Sequence, residues 1–139
     1  MFITDQDYQV VIGEQALRVI SQVSATNRSA AEDEAIEEIA GYLRPTYDTA
    51  QLFAQTGAQR NKLIVMYTCD IALYHMAASA PQKMGIEIRK ERYERAIKWL
   101  KDVQSGTVQP DIPLSLGSDG QPDAVPLSYG SQKKLRHNW

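Results

Sequence analysis

The sequence has little of what catalysis and cofactor binding usually need. Among its 139 residues there is one cysteine, Cys69, so no disulfide can form within the chain. It sits in an apolar run, where cysteine serves more often as a small hydrophobe than as a reactive thiol. There are two histidines, His75 and His137, and neither falls in a metal or nucleophile motif. Cys69 and His75 on one helix would point in different directions, which rules out a dyad between them. Glycine-rich phosphate loops and CxxC pairs are missing too. No enzymatic activity, cofactor, metal or small-molecule substrate is therefore expected. The opening MFITDQDYQ has neither a basic stretch nor an apolar one, so no signal peptide is expected and the chain is expected to start in a cytoplasm. The net charge of −2 excludes whole-molecule attraction to nucleic acid. Proline is scarce before residue 107, with only Pro45 and Pro81, so long helices can form between them.

What is present is a long apolar stretch, KLIVMYTCDIALYHMAASA, from Lys62 to Ala80. A helix that is apolar on nearly every side must be buried. At roughly 28 Å it could just span a bilayer. Thr68, Asp70, Tyr74 and His75 interrupt it, and a carboxylate in lipid costs several kcal/mol, so no membrane span is expected. The stretch is read instead as the buried central helix, about 58–80, of a small all-α bundle, with four to five helices around it. Asp70 is its odd residue, because a core carboxylate needs a partner. Arg44 and Arg92, each at the edge of another amphipathic helix, are the candidates, and together the three form the expected polar core.

The other helices follow from caps and periodicity. Two short helices are expected before Val23, the first capped by Thr4 or Asp5 and the two separated at Gly13, with Ala16, Leu17 and Ile20 as an apolar stripe. Residues 24–28 read as a polar connector. Ser29 and Glu32 then have the spacing of a capping box opening a helix that runs to Arg44. Its apolar face is Ala35, Ile36, Ile39, Ala40 and Leu43, and its acidic face Glu34, Glu37 and Glu38. Glu34 and Glu38 could ligate a metal, but no histidine stands at ligand spacing, so they read as a solvated face. Pro45 stops this helix, and Tyr47 to Phe53 forms a short one capped by Thr46 or Asp48. The last helix, Ile86 to Gln104, buries Tyr93, Ala96, Ile97, Leu100 and Val103. Its outer face mixes Arg89, Lys90, Arg92, Arg95, Lys98 and Lys101 with Glu87, Glu91 and Glu94, with Glu91–Arg95 and Glu94–Lys98 as expected ion pairs.

The bundle is expected to end at 106, and 107–139 to form an extended C-terminal arm. Pro110, Pro113, Pro122 and Pro126 exclude a continuous helix there. Ile112–Leu116 and Ala124–Tyr129 flank GSDGQP and could form a loose hairpin confined to edge pairing. Leu114, Leu116, Leu127, Tyr129, Leu135 and Trp139 are spread along the arm, and we read them as laid on a partner. Charge is uneven as well: residues 1–58 carry nine acids and three bases, and residues 59–104 five acids and nine bases. The two halves could meet within the fold, or head to tail between copies, the contact that closes rings.

The order of these features resembles a known family. ITDQDYQVVIG is followed by an acidic helix ending in EIAGYLRPTYD, then CDIALYHM, then IRKERYERAIKWLKDVQSGTV. Over about residues 2–108 this is similar to the Mu-like phage and prophage neck proteins, long catalogued as a domain of unknown function. Gly41, Tyr42, Leu43 and Tyr47 match the family's turn after the acidic helix. Asp70, Ile71, Ala72 and Tyr74 match its central helix, and Tyr93, Ala96, Trp99 and Leu100 its last one. The sequence departs from the family between Asp48 and Arg60, where a Pro-rich loop is usual. The resemblance implies a head–tail connector: a homo-oligomeric ring in the virion neck, assembled in the host cytoplasm. Portal and tail-completion proteins would be its partners, and DNA would only pass through its channel. The alternative is a host helical module whose Arg89, Arg95 and Lys98 touch nucleic acid or protein.

Overall fold

A computed structural model describes residues 1–22, 24–79 and 85–121. The helices are α1 (Asp5–Ile12), α2 (Glu14–Ser21), α3 (Ala25–Leu43), α4 (Thr49–Ala54), α5 (Lys62–Ser79) and α6 (Ile86–Gln104), with a 3-10 turn at Gly57–Gln59. The protein is a small all-α bundle, as its periodicity predicts. α5 is the central helix and packs against α1, α3 and α6, while α3 also meets α6 and α2 lies on α1. Ile71, Ala72 and Leu73 are all fully buried. Three successive helical residues point in three directions, so the middle of α5 is enclosed on every side, while its first turn, with Lys62 and Leu63, is exposed. No helix among the described residues is long and apolar enough to cross a membrane.

α1, α3, α4 and α5 each begin where a side chain satisfies free N–H groups, while α6 starts after Gly85 without a side-chain cap. At α1 it is Thr4, whose hydroxyl accepts from the Asp7 N–H while the Asp7 carboxylate accepts from the Thr4 N–H at 2.7 Å. Gly13, with φ +80°, allows the sharp break into α2. α4 is capped by Asp48, whose carboxylate accepts from the Gln51 N–H at 3.0 Å. α5 starts at Lys62 instead of near 58. The Asn61 side-chain oxygen accepts from the N–H groups of Leu63 and Ile64, and Arg60 before it is extended.

The start of α3 corrects the expected one. The helix opens five residues earlier, at Ala25, with the Ser24 hydroxyl accepting from the Asn27 N–H at 3.1 Å. Ser29 and Glu32 lie inside the helix and form no capping box. The reason is that Glu32 is buried and already engaged: Arg28 Nε donates to it at 3.0 Å and the Tyr8 hydroxyl at 2.9 Å.

Residues 107–121 lie along the bundle. Ile112 is buried, and Val108 and Leu114 pack against the core. The Asp48 N–H donates to the Pro113 carbonyl at 2.9 Å and the Ser115 N–H to the Thr46 carbonyl at 3.0 Å, giving an antiparallel bridge between Tyr47 and Leu114. Pro113 serves only as an acceptor here, the one backbone role open to proline. A turn follows, in which the Gly117 N–H donates to the Gln121 carbonyl at 2.7 Å. The second arm of the expected hairpin, Ala124–Tyr129, lies outside the described residues.

Candidate functional site

Of the two candidate partners, Asp70 takes Arg92. Arg92 Nε donates to Oδ1 at 2.6 Å and Nη2 to Oδ2 at 3.3 Å, a two-pronged contact that ties α5 to α6. The Asp70 side chain is fully buried. Burial pushes its carboxyl upward, and the Arg92 guanidinium opposes that push without overcoming it. Arg44, expected as the other candidate, is corrected. It caps the C-terminus of α3 in helical geometry and pairs with exposed Glu37 at 2.9 Å, two turns back on the same outer face, which points it to solvent and not to α5.

Three further polar clusters went unread in the sequence. Arg60 donates to the Phe2 carbonyl and to Asp7 Oδ2, each at 2.6 Å, and to the Gly57 carbonyl at 3.0 Å. It fastens the chain's first residues to the entry of α5. Burial alone would raise the Asp7 carboxyl, but the Arg60 and Thr4 hydrogen bonds outweigh it and hold the group below its ordinary range. Arg28 joins Asp5 and Glu32 and lies over the Tyr8 ring, 5.0 Å from its centre. Glu38, read as part of a solvated face, is half-buried. It meets His75 Nε2 at 3.1 Å and accepts from the Tyr93 hydroxyl, and Tyr93 stacks on Tyr74. Apart from the local Arg28–Glu32 and Arg60–Gly57 contacts, no sequence signal marks these hydrogen bonds, because their partners stand 23 to 58 residues apart.

Among the described residues no three His, Cys, Asp or Glu side chains come together as a metal ligand set. Cys69 is fully buried, and burial followed by the nearby Asp7 and Asp70 charges pushes its thiol up, which keeps it protonated. The outer face of α6 pairs within itself, but as Lys90–Glu94 and Lys98–Asp102 instead of the two expected pairs.

What the surface offers is a groove of about 600 Å³ beside α5. Val10 and Val11 of α1 form one wall and Leu63 and Met66 of α5 belong to its lining, with Lys62 and Arg92 among the charged groups. Of the expected partner-binding arm, Leu114 is half-buried against the chain's own core and Leu116 is exposed. Leu127, Tyr129, Leu135 and Trp139 lie outside the described residues.

What the described residues define is a helical bundle pinned by arginine–carboxylate pairs, with a partly apolar groove on its surface. The family described as Bacteriophage Mu, Gp36 matches residues 2–125, and the chain belongs to it. That span covers the bundle and the bridged start of the arm, and it bears out the resemblance to a Mu phage family. Comparison with curated proteins and with solved structures gives no significant match. Several of the positions carrying the resemblance are core positions here: Leu43, Tyr47, Asp70, Ile71, Ala72, Ala96 and Leu100 are buried.

Proposed function

We propose that the protein is a head–tail connector, a structural part of the virion neck that assembles as a ring between portal and tail and lets DNA pass through its channel. The observation that carries this reading is membership of a phage Mu family over nearly the whole chain. Two features support it. The surface has a groove with exposed apolar walls, which monomeric proteins seldom leave open. The chain also begins an arm with leucines along it, one of them exposed at 60%. In this reading the partners are further copies of the chain, the portal and the tail-completion proteins, and no substrate is turned over.

The test is genetic. A nonsense mutation in the prophage copy of this gene should give, after induction, DNA-filled heads and separate tails by electron microscopy. Supplying the protein from a plasmid should restore joined particles. Joined, infectious particles without the protein would overturn the proposal.

A further inference from the structure

Five large apolar side chains are exposed among the described residues: Met1, Val10, Leu63, Ile88 and Leu116. Val10, at 88% exposure, and Leu63 both line the groove. Three cations stand around it, Arg60, Lys62 and Arg92, against the one carboxylate Asp7. Arg60 is bound to Asp7 and Arg92 to Asp70, which leaves Lys62 at the rim with no ion-pair partner among the described residues.

Ile88 presents the opposite chemistry. It projects from the first turn of α6, with Glu87 beside it and Glu91 one turn on, both exposed and neither in an ion pair among the described residues. α5 and α6 run antiparallel, since Tyr67 meets Trp99 while Asp70 meets Arg92 and Tyr74 meets Tyr93. Leu63 and Ile88 therefore sit near opposite ends of the helix pair, separated by roughly 18 Å along the axis at 1.5 Å per residue. One copy cannot join them.

We propose that the groove receives a second copy of this chain: Ile88 of one copy seats between Val10 and Leu63 of the next, and its Glu87 and Glu91 face Lys62. The contact uses different surfaces on the two copies, so it propagates head to tail and closes into a ring when the rotation allows. An apolar plug between paired charges gives both affinity and register. The inference rests on the connector reading only in naming the copy-to-copy contact that such a ring needs.

The test uses the full chain with Val10→Cys and Ile88→Cys together, and with each alone. Both positions are exposed, and circular dichroism checks that the helices are kept. Under oxidising conditions the double variant should give a ladder of covalent multimers, and each single variant only the uncross-linked chain; buried Cys69 does not contribute. Dimers from Val10→Cys alone would reveal a symmetric contact, and no ladder from the double variant would show that a second copy does not seat its Ile88 in the groove. Either result overturns the proposal. By light scattering, Lys62→Glu should weaken association at least tenfold, and adding Glu87→Lys with Glu91→Lys should restore it. Failure to restore counts equally against it. A ladder from a protein whose nonsense mutant still joins heads to tails would sink the connector reading and leave the contact standing. Unjoined particles without a ladder would do the reverse.

Discussion

Asp70 brings a carboxylate into the centre of an apolar helix, and the bundle tolerates it because Arg92 covers both its oxygens. Removing one partner of such a pair leaves the other uncompensated. Asp70→Ala is therefore expected to cost about 3 kcal/mol in urea unfolding, at the low end for a buried pair because Arg92 is partly open to water. Removing Arg92 as well, as Asp70→Ala with Arg92→Met, should cost less than the single change. A single variant within about 0.5 kcal/mol of wild type would refute the pairing. Asp7 makes a separate prediction from pH. Its folded-state pKa lies below the ordinary value of 3.8. The folded state then binds fewer protons than the unfolded one, so Asp7 stabilises the fold above 3.8 and loses that effect as pH falls through the folded value. The gap in urea midpoint between wild type and Asp7→Asn should stay constant from pH 7 to about 4 and narrow below it.

Helix starts depend on which polar side chain is free to turn back on the chain. α3 has two serines placed for the task, and the choice falls on Ser24 because the glutamate that would complete the Ser29 box is held by Arg28 and Tyr8. Ser24→Ala should lower stability by about 1 kcal/mol. Ser29→Ala should change it by less than about 0.5 kcal/mol, since alanine suits a helix interior. Equal losses at both sites, read from urea midpoints, would contradict the observed start. The same competition set the entry to α5, where Asn61 provides the cap while Arg60 turns to Asp7.

At the scale of the whole molecule, one ion pair among the described residues, Asp7–Arg60, joins the acidic half to the basic half, and Glu38 meets His75 across the same divide. That leaves Asp33, Glu34 and Glu37 exposed on α3 and only a mixed face on α6. The arm's first residues also belong to this body. A chain ending at 106 loses buried Ile112 and the bridge to Tyr47, and should be less stable than one ending at 121 by about 2 kcal/mol. Equal urea midpoints for the two would mean that residues 107–121 do not hold the bundle.

The helices, their order and the central place of α5 were legible in the chain itself, because periodicity, proline and glycine act over a few residues. So was the need of Asp70 for a partner, since a carboxylate among Ile71, Ala72 and Leu73 cannot stand alone. The order of the quoted motifs also carried the resemblance to a phage family. Which arginine answers Asp70, why Glu32 and Glu38 leave solvent, and how Arg60 ties residue 2 to the start of α5 were decided only in three dimensions. Those contacts join residues far apart in sequence, where spacing has no period to follow. The groove is of the same kind: Val10 and Leu63 are ordinary apolar residues of separate helices until the packing of α1 on α5 leaves both facing outward.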